Sequence, residues 1–209
     1  MPNGVEEIKK AMYSTKNLPI TATEEIISYE YYSYLPLSTT GTELQFFGYT
    51  IGQPIPGSTA RATKKHTNMT QPNQIPAPYS FLLREITCDV IPASSTISSG
   101  NFIADYYKIV NEGYFELQIG SKVYQDGRLL KLAPKSKLLG FAAIYGGSGA
   151  NQRELVALSG ETYKIRPEGI TLMSGLTFNF VVKFDTAPGI SAETGILITF
   201  WGFLKRPAQ

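Results

Sequence analysis

The feature that most constrains this chain is a succession of short runs rich in Tyr, Phe, Ile and Val. Each is stopped by Gly, Pro, Ser, Thr or Asn before it reaches the length of an ordinary helix. Residues 26–35 (IISYEYYSYL) and 42–51 (TELQFFGYTI) flank the turn-forming Ser38-Thr39-Thr40-Gly41, which predicts a hairpin. Strand character returns at 79–91 (YSFLLREITCDVI) and, after the turn cluster 94–100, at 102–110 (FIADYYKIV). Residues 114–119 (YFELQI) alternate apolar and polar side chains with a period of two. Gly120-Ser121 then leads into KVYQ, so a tight hairpin is expected. Further strands are read at 129–132, 137–145, 161–165, 170–173, 176–184 and 195–204. About eight to ten short strands at this spacing describe an all-β sandwich or barrel, and no alternation of strand with helix supports a parallel sheet.

Gly4 to Ser14 is the one helix candidate: Val5, Ile8 and Met12 fall at spacings of three and four, with Glu6 and Glu7 in the first turn. A helix of that length is marginal alone and must dock on something. Residues 1–23 therefore read as an N-terminal helix and extended arm, 24–204 as one β domain and 205–209 as a tail, with both termini free to reach neighbouring subunits. The Pro-rich stretch 52–78 is too long for an ordinary connection, so it reads as functional or disordered. No internal repeat and no linker divides the chain. Its size favours a single jelly roll over an immunoglobulin sandwich.

The side chains available exclude several kinds of chemistry. Cys88 is the only cysteine, so neither an intrachain disulfide nor a thiolate zinc site can form within one chain. His66 is the only histidine and lies in the basic loop RATKKHTN, where it reads as a solvated residue. YGGSGAN (145–151) has Ala150 where a nucleophile elbow needs glycine, and it lacks both the spacing and the lysine of a phosphate loop. Asp89, Asp105, Glu116 and Asp185 read as single carboxylates at strand ends rather than a glycosidase pair. The expectation is a protein that is not an enzyme, with no catalytic residues, no cofactor, no metal and no small-molecule substrate. Residues 1–19 mix acids with bases around no apolar core, so no secretory signal is expected, and no run is long enough for a membrane-spanning helix. Asn68-Met69-Thr70 matches the glycosylation sequon, a pattern short enough to recur by chance.

Charge is scarce: 17% of residues are charged, against about 25% in an average chain. With 43% hydrophobic residues and a net charge of +2, the chain suits neither disorder nor whole-surface nucleic-acid binding. Its distribution is uneven. Residues 17–59 hold Glu24, Glu25, Glu30 and Glu43 with no Lys or Arg, whereas 121–137 hold Lys122, Arg128, Lys131, Lys135 and Lys137 against Asp126 alone. The basic stretch reads as a patch toward lipid, genome or a neighbouring subunit. Tyr and Phe enrichment with charge depletion is also the composition of interface cores.

Three segments carry a resemblance. Thr67-Asn68-Met69 with Gln74 to Phe81 (QIPAPYSF), YYKIVNEGYFELQIGSKVYQDGRLLKLAP (106–134) and GILITFWGFLKRP (195–207) resemble capsid proteins of tailless icosahedral bacteriophages. They cover about a third of the chain. That family builds its shell from upright jelly rolls, and this length has room for one, as in the coat proteins of internal-membrane phages. The resemblance implies a self-assembling coat subunit of the virion, assembled in the host cytoplasm. It also implies partnership with copies of itself in capsomers and with other capsid proteins, and contact with a lipid membrane or the genome at the inner surface. Ile8, Met12 and Tyr13 of the arm would then dock on an adjacent subunit. The rival reading is a carbohydrate- or receptor-binding β-sandwich such as a phage spike domain, with Tyr31, Tyr32, Tyr34, Tyr106, Tyr107 and Trp201 stacking on sugars. Against it, Trp201 sits in an apolar strand where burial in the core is expected.

Overall fold

A computed structural model describes residues 24–92, 101–132, 137–139, 156–158, 163–165, 168–191 and 193–208. The strands are β1 (Glu24–Leu37), β2 (Glu43–Phe46), β3 (Ser80–Pro92), β4 (Gly113–Ile119), β5 (Lys122–Arg128), β6 (Lys137–Leu139), β7 (Val156–Leu158), β8 (Tyr163–Lys164), β9 (Ile170–Met173), β10 (Phe178–Phe184) and β11 (Thr194–Pro207), with one helix, α1 (Asn101–Glu112), between β3 and β4. One antiparallel sheet runs β1-β11-β3, with β8 and β9 both pairing along β3; the other runs β2-β10-β4-β5. The first strand thus pairs with the last, the second with the second-to-last, the third with β9, and β4 with β5. This nested pairing, rolled into two facing sheets, is a single jelly roll.

Alternation along the strands builds the core. On β1 the odd positions Tyr31, Ser33, Leu35 and Leu37 are buried, and β4 reads buried at every second residue from Gly113 to Ile119. From one sheet Ile196, Ile198 and Phe200 meet Phe115, Phe178 and Phe180 of the other. Phe115 stacks on Phe180 with ring centroids 5.6 Å apart, and Phe180 meets Phe200 edge-on at the same distance. Aromatic pairs of this kind add about 0.5–1.5 kcal/mol each beyond area burial.

The structure revises several sequence expectations. Residues 102–110 are not a strand but lie in α1. Tyr106, Ile109 and Val110, spaced by three and four, are its buried face, whereas Tyr107 and Asn111 face outward. β-favouring composition masked a helical period. The helix turns directly into β4 at Gly113, where a Cβ would lie 2.8 Å from the Ile109 carbonyl oxygen and 3.0 Å from Leu129 and Phe184. Asp105 is not at a strand end but buried on α1. Its carboxylate accepts the Ser191 backbone N–H at 3.0 Å and the Ser191 hydroxyl at 2.5 Å, tying the helix to the approach to β11.

β1 and β2 do not form a hairpin. The turn after β1 carries the chain from one sheet to the other, because each strand finds its partner near the C-terminus. Lys205 and Arg206 are not in a loose tail but in β11, opposite Ile26 and Glu25. Lys205 bridges Glu24 at 2.8 Å and Arg206 bridges Glu25 at 2.5 Å, so these two acids of the early segment have cationic partners within the chain. The hairpin expected at Gly120-Ser121 is present between β4 and β5, with Gly120 at a φ of 59°.

The stretch 52–78 is an ordered cover. Ile55, Ala62, Met69 and Ile75 are buried, and its residues 66–68 run along the outer edge of β1. Tyr34 donates its backbone N–H to the His66 carbonyl at 2.8 Å, and the Thr67 hydroxyl donates to the Tyr32 carbonyl at 3.0 Å. An edge strand left bare would expose a row of unpaired donors and acceptors; here the loop satisfies them. His66 is accordingly half-buried rather than solvated, with its ring 5.5 Å from that of Tyr34. Burial, then the charge of Lys65, holds its pKa below the usual value.

Candidate binding cleft

Antiparallel register decides which side chains share the outer face of the β1-β11-β3 sheet. Glu30, Trp201 and Glu85 form one row across the three strands. Tyr32, Thr199 and Thr87 form the next, and Tyr34, Leu197 and Asp89 the third. Opposite residues in such a ladder lie about 4.5–5.5 Å apart at Cβ. A bulge between Trp201 and Gly202 ends the regular register beside the first row. Trp201 is therefore not in the core but half-buried on the outer face.

Over this grid opens a cleft of about 500 Å³, with the loop residues Lys64 and Lys65 forming one wall. Thr199, Thr87 and Asp89 at its base are 5%, 2% and 7% exposed, while Glu30, Tyr32 and Trp201 are half-exposed at its sides. The wall is held in place at two points. The Tyr32 hydroxyl donates to the Lys64 carbonyl at 2.5 Å, and the Asn68 amide brackets β1, its Oδ1 accepting from Tyr32 N–H at 3.0 Å and its Nδ2 donating to the Glu30 carbonyl at 2.7 Å. Burial and, after it, the Glu30 carboxylate push the Tyr32 hydroxyl pKa up. Asn68 is thus a structural bracket, and the sequon around it does not present a free amide.

At the end of the grid, Tyr34 lies over Gly195. A Cβ on residue 195 would fall 2.2 Å from the Tyr34 ring, so glycine is what lets the ring approach β11 this closely. The Tyr49 hydroxyl donates to the Tyr34 carbonyl and accepts the Tyr34 N–H at 3.2 Å.

Of the six aromatics expected to meet sugars, Tyr32 and Trp201 line the cleft, Tyr31 and Tyr106 are buried, Tyr34 folds over Gly195, and Tyr107 is exposed on α1. Sequence reasoning missed Glu30, Thr87, Asp89 and Lys64 as companions of Trp201. Their only sequence signal was parity along separate strands, which becomes spatial once the register is known.

Of the basic stretch, Lys122, Arg128 and Lys131 are exposed among the described residues. Lys122 and Arg128 are exposed at opposite ends of β5, about 20 Å apart at strand spacing, whereas Lys131 lies beside Arg128 through the 3-10 turn Leu129–Lys131. Arg128 donates to the Asn111 carbonyl at 2.9 Å. Lys135 lies outside the described residues, as do Ile8, Met12 and Tyr13, the arm helix and YGGSGAN; Lys137 begins β6. Among the described residues no group of three or more His, Cys, Asp or Glu is placed to hold a metal ion, and no helix is long and apolar enough to cross a membrane.

Comparison with protein-family models, curated proteins and solved structures finds no match. The class defined by the geometry is that of the single jelly roll, a fold used by capsid subunits, lectins and other binding proteins alike.

Proposed function

We propose that this chain is a structural capsid subunit that assembles with copies of itself into a closed shell. The observation that carries the reading is the edge of the second sheet. β5 pairs only with β4 among the described residues, and it exposes Val123 and Tyr124 at 54% and 49%, followed by Leu130 at 51%. An exposed edge strand with apolar side chains is a template for another chain unless it is covered. Gly120 donates to the Thr177 carbonyl at 2.8 Å, which brings the exposed Met173 and Leu176 to the same end of the barrel as Val123. Lys122, Arg128 and Lys131 flank this apolar strip and supply orientation to acidic surfaces. The charge-poor composition and the resemblance to phage coat proteins support the same reading.

The test is the assembly state of the purified full-length chain by native mass measurement and negative-stain microscopy. Rings or shells are expected. A second arm of the test deletes residues 1–18, which is expected to abolish shells while leaving a folded monomer, since that segment carries Ile8, Met12 and Tyr13. A full-length chain that stays monomeric at high concentration in every condition tried overturns the proposal.

A further inference from the structure

We infer that the cleft over the β1-β11-β3 sheet is a binding site for a neutral saccharide, a function separate from assembly. A pyranose has an apolar C–H face and a rim of hydroxyl groups, each able to donate and accept. Its site needs a flat apolar platform beside acceptors and donors that point the same way.

The grid supplies all three. Trp201 provides the platform, half-exposed in a cleft wall rather than lost in the core. Its row neighbour Glu30 and the more deeply set Asp89 carry carboxylates, which accept only and suit sugar hydroxyl donors. Thr199 and Thr87 lie between them in the register on the floor and carry hydroxyl groups, and Lys64 and Lys65 of the loop wall bring ammonium donors to the lining. Two acids against two lysines leave the lining without net charge, which favours an uncharged ligand over a phosphate or a sugar acid.

Size and rigidity agree. About 500 Å³ falls within the roughly 300–1,000 Å³ of small-ligand sites. The Tyr32–Lys64 and Asn68–β1 hydrogen bonds set the wall in advance, so little loop ordering opposes binding. A second hollow of about 590 Å³, lined by Glu43, Asn73 and Glu193, contains no aromatic platform.

Trp201 is the only tryptophan in the chain, so its emission reports directly on the cleft. The full-length protein is screened on an array of neutral and acidic glycans, and each neutral hit is titrated while tryptophan emission is followed. Saturable binding with a shift in emission is expected. Glu30→Gln and Lys64→Ala, both on the accessible rim, are each expected to weaken binding by about tenfold, the loss of one charged hydrogen bond. Trp201→Phe should keep the fold and weaken stacking. An array without hits, binding that leaves the emission and these variants unchanged, or a preference for acidic glycans overturns the inference. Particle formation is scored separately by microscopy, so failure here and failure of the assembly proposal are distinguishable.

Discussion

Asn68 occupies, with one side chain, the place of a neighbouring strand for Tyr32: its Oδ1 accepts the Tyr32 backbone N–H at 3.0 Å while its Nδ2 donates to the carbonyl of the preceding Glu30 at 2.7 Å. The outer edge of β1 is thereby closed, and the loop that forms the cleft wall is fixed to the sheet.

Replacing Asn68 with Ala removes both hydrogen bonds and leaves a strand N–H and carbonyl to find water. The expected loss is about 1–3 kcal/mol of stability, read as a lower midpoint in urea unfolding. A glycosylating host is expected to leave residue 68 unmodified by mass, because its amide is already engaged.

Asp105→Ala strips the Ser191 backbone and hydroxyl of their shared acceptor and frees the segment that leads into β11. Hydrogen bonds to charged groups are each worth about 1.5–3 kcal/mol, so a loss near 3 kcal/mol is expected. Hydrogen exchange at residues 189–193 should rise more than exchange in β4.

Gly195→Ala sets a methyl group against the Tyr34 ring, where a Cβ would lie 2.2 Å away. Overpacking of this kind costs about 1–3 kcal/mol. The measurement is thermal unfolding of the variant beside Gly195→Ala/Tyr34→Ala, in which the second change removes the clash. Recovery of part of the lost stability is expected in the double variant.

Alkaline pH should weaken the fold through Tyr106. Burial, with Cys88 and Asp89 as further contributors, pushes its phenol from 10.0 up to about 12. The folded protein then holds a proton that the unfolded chain has released, so stability is intact below pH 10 and is lost as pH rises toward 12. Tyr31, buried in the core, titrates above its usual range for the same reason. Unfolding midpoints measured across this window should fall with pH, and Tyr106→Phe should flatten the slope.

How much of this was legible in the residues differs by element. β4 and β5 were readable because alternation from Tyr114 to Ile119 and the two-residue turn at Gly120-Ser121 are local signals. α1 was misread because Phe, Tyr and Ile crowd a segment whose decisive feature is which side is buried: Tyr106, Ile109 and Val110 against Tyr107. The function of 52–78 was illegible because covering β1 depends on backbone carbonyls and one asparagine amide, which leave no pattern in composition.

The sequence by itself determined an all-β chain, short of charge, whose alternating strands must face one another across an aromatic core, because side-chain period and turn chemistry act over a few residues. Only the tertiary structure decided that β1 lies against β11 and β2 against β10, since those pairings join the two ends of the described chain. The same long-range register set Glu30, Thr199, Asp89 and Trp201 on one face, and brought Lys64 over them on a loop. Strand pairing is chosen by the burial of whole faces rather than by any neighbour in sequence, so the cleft exists only once both sheets have formed.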